Sequence, residues 1–343
     1  MRITNVKIPG TKYSPDPGGT ELMKRGQYYG RILLIAGSAA AELGAEIAEH
    51  LDLRLSKYDR TIFPNENIFI RLNESMRGQD VYVIQSMATP LHESIFELMI
   101  LIDTIKRDSA ARVTVVVPYL AYGRSDKKDQ PRVGIAARMI ADMLQTAGAD
   151  RYMTVDLHSG QIQGFFSIPG DALTAFHLLS DYVQDKAIDN LVVVSTDLGF
   201  AKKARNWAEK LSAPLTIIEK RRTGNDSTSE ALSVIGEVRD QNVLLVDDEV
   251  LTGGSIVNAF NLLKGEGARD VYLAFTHAVL AKDAAEKLSE LDVKEIITTN
   301  TLPISAEKRA YLPNMIVLSV APLLGEVILR ANQGRSVGEL FHE

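Results

Sequence analysis

Short apolar runs rich in β-branched residues alternate with amphipathic stretches along most of this chain, and this alternation constrains the fold more than any other feature. The apolar runs are ILLIAG, NIFIRL, VYVIQS, VTVVVPYL, YMTVDL, LVVVST, LTIIE, VLLVDD, VYLAFT, EIITTN and MIVLSV. The helical patterns between several of them cover Ala40–Leu51, Ser94–Arg107, Ile135–Thr146, Gly199–Leu211 and Ser255–Gly265. Continuous apolar strands separated by helices are typical of parallel sheets covered on both faces. We therefore predict an α/β fold.

The length of 343 residues fits two domains of ordinary size. Val81–Val117 and Val243–Phe275 both read as strand, loop, helix and strand. Each segment can be a βαβ unit at an equivalent place in one of two related halves, although any two βαβ units share this pattern. A boundary near residues 165–175 divides the predicted strands evenly between two halves.

Composition excludes several classes of function. The chain has no cysteine, which rules out disulfides, thiolate nucleophiles and cysteine-ligated zinc. Its formal net charge of −6 argues against a general nucleic-acid binder, which needs a basic face. The N-terminus has no apolar signal region and the chain has no run of about 20 apolar residues, so we expect no membrane association and a cytoplasmic location.

The segment VLLVDDEVLTGGSIVNAF, residues 243–260, carries the strongest indication of function. A buried strand is predicted to end in Asp247 and Asp248, followed by a short loop with two glycines and a helix from Ser255. Glycines let backbone N–H groups approach a ligand closely, and a helix N-terminus favours an anion. Two carboxylates there can accept hydrogen bonds from vicinal hydroxyls or attract Mg²⁺. We predict a ribose-phosphate site, although an acidic helix start capped by Ser255 is the simpler alternative.

Three further segments place polar side chains after predicted strands. In YMTVDLHSGQIQGFF, residues 152–166, His158 can bind a divalent ion or contact a phosphate, or it can be structural. The cations of Lys220–Arg222 can close over transferring phosphates, or they can be solvated charges. The loop PYLAYGRSDKKDQPR, residues 118–132, offers cations and tyrosines that can stack on a base, and solvation explains these charges equally well. The sequence lacks the Walker A, GxGxxG, HExxH and GxSxG patterns.

Taken together, these segments resemble the ribose-phosphate diphosphokinases, also called PRPP synthetases, which consist of two type I phosphoribosyltransferase-like domains. The resemblance runs from about Ile32 to the C-terminus. It rests on NESMRGQDVYVIQS, VVVPYLAYGR, AGADRYMTVDLHSGQIQGFFSIP, IIEKRR and VLLVDDEVLTGGS. It implies two similar domains, each with a central, mostly parallel sheet flanked by helices. We expect an N-terminal arm at residues 1–27, domains at 28–170 and 171–325, and a C-terminal helix at 326–343 that packs on the N-terminal domain.

The resemblance also implies a reaction, in which the diphosphoryl group of ATP passes to the 1-hydroxyl of ribose 5-phosphate with Mg²⁺ as cofactor. The products would be 5-phosphoribosyl 1-diphosphate (PRPP) and AMP. The catalytic cations would be Lys220 and Arg222. The residues implied for ribose 5-phosphate are Asp247, Asp248, Thr252, Gly253, Gly254 and Ser255. Those implied for ATP are Phe63, Asn65, Asn67, Arg124, Ser125 and Asp126. Those implied for the metal are His158 and Asp197. The resemblance further implies a homo-oligomer built from dimers, up to a hexamer.

Several positions depart from the pattern of the family. Phe63-Pro64-Asn65-Glu66-Asn67 stands where the pattern has Phe-Ser-Asp-Gly-Glu, and Ser125 replaces a glutamine. Leu251 replaces an aspartate, and residues 195–200, Ser-Thr-Asp-Leu-Gly-Phe, replace Ser-Pro-Asp-x-Gly-Gly. These departures leave two alternatives to a PRPP synthetase. One is a catalytically weak regulatory paralogue that assembles with an active synthetase, and the other is a phosphoribosyltransferase that consumes PRPP.

Overall fold

The computed structural model describes residues 30–222 and 230–340, which form two compact units. The N-terminal unit comprises residues 30–173, 301–303 and 320–340. The C-terminal unit comprises residues 174–222, 230–300 and 304–319. The predicted arm at residues 1–27 lies outside the described residues.

The N-terminal unit is built on a five-stranded parallel sheet with the strand order β1-β4-β5-β6-β7. Its strands are β1 (Ile32–Ala36), β4 (Asp80–Ile84), β5 (Arg112–Val117), β6 (Arg151–Val155) and β7 (Gly170–Leu173). Its helices are α1 (Ala41–His50), α2 (Leu91–Arg107), α3 (Ala136–Ala147) and α9 (Ala321–Gln333). Every residue of β4 and β5 is buried, as expected for central strands of a parallel sheet that is covered on both faces.

A separate hairpin in this unit corrects one prediction. The run NIFIRL was expected to form a strand of the parallel sheet, but β3 (Ile68–Leu72) pairs antiparallel with β2 (Tyr58–Ile62) in a sheet of its own. The helix α2 contacts one face of β3 and covers that face alone. Ile70 is therefore buried, whereas Phe69 is 47% exposed. A strand covered on one side usually alternates apolar and polar residues. This pattern is interrupted here because Phe69, on the exposed face, is apolar.

The C-terminal unit is built on a seven-stranded sheet with the order β10-β9-β8-β11-β12-β13-β14, parallel except where β10 pairs antiparallel with β9. Its strands are β8 (Leu191–Ser195), β9 (Leu215–Arg222), β10 (Glu230–Ile235), β11 (Asn242–Val250), β12 (Val271–Ala278), β13 (Val293–Thr299) and β14 (Met315–Leu318). Its helices are α4 (Phe176–Asp185), α5 (Ala201–Leu211), α6 (Gly254–Gly265), α7 (Ala284–Ser289) and α8 (Ala306–Tyr311). The two predicted βαβ segments are β4-α2-β5 and β11-α6-β12, and the predicted fold class is confirmed.

The C-terminal helix belongs to the N-terminal unit. It begins at Ala321, before the predicted start at position 326, and it ends where Gly334 adopts a left-handed φ of +66°. Arg112 of β5 donates to Asp80 Oδ2 of β4 at 2.6 Å and to the Ala331 carbonyl of α9 at 3.1 Å. Asn332 Nδ2 donates to the same Asp80 oxygen at 2.8 Å. A buried ion pair therefore anchors the last helix to the sheet.

None of the helices in residues 30–222 and 230–340 combines the length and the apolar character needed to cross a membrane.

Candidate functional site

The carboxyl end of β11 carries the two acidic residues predicted to engage ribose. Asp247 Oδ1 accepts a hydrogen bond from the backbone N–H of Asp248 at 2.8 Å, and Asp248 Oδ1 accepts one from the backbone N–H of Glu249 at 2.9 Å. β11 lies between β8 and β12, so its end is at the centre of the carboxyl edge of a parallel sheet. This edge is where α/β sheets generally bind their ligands.

The environment of Asp247 disfavours its negative charge. Burial, followed by repulsion from Asp248, raises the pKa of the Asp247 carboxyl to about 8. Two hydrogen bonds act in the opposite direction and lower the pKa of Asp247. One comes from the Thr196 hydroxyl, which donates to Asp247 Oδ2 at 2.8 Å, and the other from the Asp248 N–H. Such an arrangement is costly for stability and is characteristic of functional sites, where a ligand or cation supplies the missing compensation.

The loop after β11 leads directly into the first turn of α6. Gly253 takes the N-cap position with a left-handed φ of +76°, a conformation in which other residues are strained. No side chain in the described ranges caps this helix, so its first N–H groups have no such partner. A Cβ added at Gly254 would meet no atom of the described residues within 4 Å, and Thr252 and Ser255 are exposed. The loop therefore presents N–H groups and hydroxyls to open space.

A second loop at this edge follows β8. Thr196 is buried, and Asp197 is half-buried with its Oδ1 accepting a hydrogen bond from the Phe200 N–H at 2.9 Å. Ser195 Oγ donates to the Asp197 carbonyl at 2.7 Å. The loop that contains the predicted metal ligand Asp197 is thus held by its own hydrogen bonds.

The predicted catalytic cations lie at the end of β9. The backbones of Lys220 and Arg222 pair with Leu232 and Glu230 of β10. The side chains of Lys220 and Arg222 lie outside the described parts of the structure, as do residues 223–229.

In the N-terminal unit, the loop after β5 and the loop after β6 contact each other. A Cβ added at Gly123 would lie 3.2 Å from the Cβ of His158, so the backbone beside Arg124 approaches this histidine closely. Asp126 is buried, and its Oδ2 accepts a hydrogen bond from Gln161 Nε2 at 2.6 Å. The structure thus places four of the predicted residues, Arg124, Ser125, Asp126 and His158, on adjoining loops.

The remaining residues predicted for ATP form the tip of the β2–β3 hairpin. Phe63 is 45% exposed and its ring centroid lies 6.1 Å from that of Phe69. Asn65 Oδ1 accepts a hydrogen bond from the Asn67 N–H at 3.3 Å, and both asparagines are exposed. The hairpin therefore offers an aromatic face and amide groups to solvent.

Within residues 30–222 and 230–340, no three histidine or acidic side chains converge as a metal-binding group.

Two residues that contact predicted site residues were not predicted from the sequence. Gln161 holds Asp126, and Thr196 holds Asp247. For Gln161 the signal was present, because it lies in the DLHSGQIQGFF segment that carries the resemblance. For Thr196 the signal was a hydroxyl residue in place of proline. Its bond to Asp247 forms only because β8 and β11 are neighbours in the sheet, and no local sequence pattern reveals that order.

Comparison with known proteins agrees with this geometry. Residues 32–148 match the N-terminal domain of ribose phosphate pyrophosphokinase, and residues 226–342 match the phosphoribosyl synthetase-associated domain. A ribose-phosphate pyrophosphokinase of Caldanaerobacter subterraneus is 42% identical over 316 residues, which cover 92% of this chain and 99% of that protein. Ribose-phosphate pyrophosphokinase 1, chloroplastic, of Arabidopsis thaliana is 45% identical over 314 residues, covering 91% of this chain and 77% of that protein.

Among solved structures, phosphoribosylpyrophosphate synthetase from Mycobacterium smegmatis superimposes with a TM-score of 0.84 and 42% sequence identity. The superposition covers 89% of this chain and 99% of that one. Identity at this level over most of this chain, in both units, is decisive. The chain belongs to the ribose-phosphate pyrophosphokinase (PRPP synthetase) family.

Proposed function

We propose that the protein transfers the diphosphoryl group of ATP to ribose 5-phosphate. The 1-hydroxyl oxygen of the sugar forms a bond to the β-phosphorus of ATP, and the bond from that phosphorus to the oxygen shared with the α-phosphate breaks. AMP leaves with that oxygen, the hydroxyl proton is released, and PRPP remains. Family membership supports this reaction, and the start of α6 is the single observation in the structure that carries it.

The uncapped start of α6 is a suitable site for the 5-phosphate of ribose. Its first N–H groups and the positive end of the helix dipole attract an anion, and the hydroxyls of Thr252 and Ser255 are exposed beside them. Because the space around Gly254 is open, a phosphate can approach the backbone closely. We assign the 5-phosphate to Thr252, Gly253, Gly254 and Ser255.

Asp247 and Asp248 are assigned to the ribose hydroxyls. Ionised carboxylates only accept hydrogen bonds, whereas hydroxyls can donate them. The two hydroxyls on neighbouring carbons of ribose can therefore donate to a pair of carboxylates. Each hydroxyl that donates to Asp247 compensates the burial that raises the pKa of its carboxyl. Sugar binding thus offsets part of the cost of keeping the buried Asp247 carboxyl ionised.

Lys220 and Arg222 are assigned to the diphosphoryl group in transfer. Phosphoryl chemistry depends mainly on positioning and on neutralising the charge of the transferred group. For ATP, we assign base stacking to Phe63 and polar contacts to Asn65, Asn67, Arg124 and Ser125. Asp126 acts by holding the Arg124 loop through its bond to Gln161.

Enzymes of this family generally use a divalent metal, and we propose Mg²⁺. His158 and Asp197 are the residues that would hold it. The Asp197 carboxylate is the kind of oxygen ligand that Mg²⁺ prefers. When bound, the ion would neutralise the charge of the phosphates.

We further propose a cytoplasmic homo-oligomer built from dimers, up to a hexamer. A groove of about 750 Å³ along α2 and α3 supports self-association. Its lining includes Phe96, Met99, Ile100, Met139 and Met143, and Phe96 and Met139 are 56% and 52% exposed. Exposed apolar patches of this kind generally mark interaction surfaces.

The reaction is tested by incubating the purified protein with ATP, Mg²⁺ and ribose 5-phosphate and separating the nucleotides by chromatography. AMP should appear only when the sugar is present. Lys220→Ala should abolish most of this release, whereas Lys294→Ala, which removes an exposed lysine of β13, should leave it unchanged. Release of AMP that Lys220→Ala leaves intact would contradict the assignment of the cation.

Two further measurements, co-purification and a reaction with PRPP as the substrate, decide between the alternatives. A protein that is inactive alone but co-purifies with an active synthetase chain is a regulatory paralogue. Release of diphosphate from PRPP that depends on an added nucleobase identifies a phosphoribosyltransferase.

A further inference from the structure

Thr196 is a buried residue immediately after β8 whose side chain bonds to the strand beside it. Ser195 of β8 pairs with Val246 of β11. The residues that follow them, Thr196 and Asp247, therefore lie side by side. The hydroxyl of Thr196 donates to Asp247 Oδ2 at 2.8 Å. The parallel pairing of the two strands thus brings a hydroxyl to the carboxylate that we assign to ribose.

The Thr196 bond and a backbone bond together fix the orientation of this carboxylate. Asp247 Oδ1 accepts from the Asp248 N–H at 2.8 Å, while Oδ2 accepts from Thr196. A carboxylate oxygen can accept about two hydrogen bonds, so these two bonds do not exhaust the capacity of the carboxylate, and the Asp248 carboxyl lies within hydrogen-bond reach of it. With both oxygens held, the carboxylate plane is set before any ligand arrives.

This bond depends on the hydroxyl at position 196. In the family pattern quoted above the corresponding position is proline, whose side chain has no hydrogen-bond donor. The neighbouring Ser195 does not replace Thr196, because its Oγ donates to the Asp197 carbonyl at 2.7 Å. Thr196 is therefore the hydroxyl of this loop that acts on Asp247.

We propose that Thr196 is a positioning residue that orients the Asp247 carboxylate toward the hydroxyls of the bound ribose. The inference rests on the proposed function, since it assumes that Asp247 receives the sugar. An acceptor that is held in place before binding loses less freedom when the ligand arrives and makes better-aligned hydrogen bonds. Thr196 itself does not contact the sugar.

The test compares Thr196→Val, which keeps the shape of the side chain but removes the hydroxyl, with Thr196→Ser, which keeps the hydroxyl. Steady-state AMP release is measured with ribose 5-phosphate varied at saturating ATP, and then with ATP varied at saturating sugar. We expect Thr196→Val to lower kcat/KM for ribose 5-phosphate by about tenfold, the loss that one misaligned hydrogen bond to a charged group produces. The KM for ATP should be unchanged in both variants, and Thr196→Ser should retain most of the wild-type kcat/KM.

Equal kcat/KM for ribose 5-phosphate in Thr196→Val and the wild type overturns the inference. Equal losses in the valine and serine variants also overturn it, because the hydroxyl that serine keeps would then preserve none of the wild-type kcat/KM. Should Thr196→Val not fold, Thr196→Ala serves as the hydroxyl-free variant under the same criteria. A wild-type protein that releases no AMP overturns the proposed function itself, whereas an active wild type with an unaffected valine variant overturns the role of Thr196 alone.

Discussion

Replacing Asp247 by asparagine should stabilise the protein at alkaline pH while impairing its reaction with ribose 5-phosphate. The pKa of this carboxyl is raised from its ordinary value of 3.8 to about 8, first by burial and then by Asp248. At 1.36 kcal/mol per pKa unit, keeping Asp247 ionised in the folded protein costs on the order of 5 kcal/mol. The side chain is only half-buried, so water relieves part of this cost. We expect Asp247→Asn to gain about 2 kcal/mol at pH 8.5.

The sign of the pH dependence follows from the direction of the shift. Stability contributed by the protonated carboxyl is fully present below the unfolded pKa of 3.8 and is lost as the pH rises to about 8. Asparagine does not titrate, so its advantage over the wild type should be small near pH 4.5 and should grow steadily toward pH 8.5.

The assay is urea unfolding of the wild type and Asp247→Asn at several pH values and constant ionic strength. Asp292→Asn is the matched control, since it removes the same charge from an exposed position. A difference in unfolding free energy that does not vary with pH, or an asparagine variant that is less stable at pH 8.5, would refute the reasoning. Improved stability together with a raised KM for ribose 5-phosphate is the trade-off expected of a functional residue.

Three further predictions address the core, the loop before α6 and the surface. Asp80→Asn should lower the unfolding free energy by about 3–5 kcal/mol in urea titrations, because it leaves the positive charge of Arg112 buried without the carboxylate that compensates it. Gly254→Val should leave the unfolding free energy nearly unchanged, because the space around Gly254 is open, but should raise the KM for ribose 5-phosphate at least tenfold. Gly253→Ala should lower the unfolding free energy by about 1–2 kcal/mol, because Gly253 has a left-handed φ. Phe96→Asp should lower the oligomer mass measured by light scattering while the far-ultraviolet circular dichroism stays the same, since this side chain is 56% exposed.

The strands that the sequence revealed most clearly are those whose burial is complete. The segments that became β4, β5 and β8 are continuous apolar runs because they are covered on both faces, and the five predicted helices are all present. Among these five helices, the largest difference at a helix start is in α2, which begins at Leu91 rather than Ser94 because Pro90 takes the N-cap position.

The strands that the sequence did not reveal are short, polar or at a sheet edge. β2 (YDRTI), β7 (GDAL) and β10 (EALSVI) contain few apolar residues in a row, since each needs to cover one face at most. Tertiary pairing, which local patterns do not encode, makes strands of them.

The candidate site shows the same division. The loop at residues 252–255 could be recognised because its glycines and hydroxyls are consecutive in the sequence and lie between a strand and a helix. The bond between Thr196 and Asp247 joins residues of distant segments that only the strand order makes neighbours. Likewise, the raised pKa of Asp247 depends on burial, which the sequence alone does not quantify.

Phosphorus-31 NMR of the reaction mixture is the sharpest test of diphosphoryl transfer, because it identifies which group leaves ATP. With ATP, Mg²⁺ and ribose 5-phosphate, the account predicts equal amounts of AMP and of a new sugar diphosphate, with the original 5-phosphate resonance retained in the product. Formation of ADP and a sugar bisphosphate, or a spectrum that does not change while the protein remains folded, would contradict it.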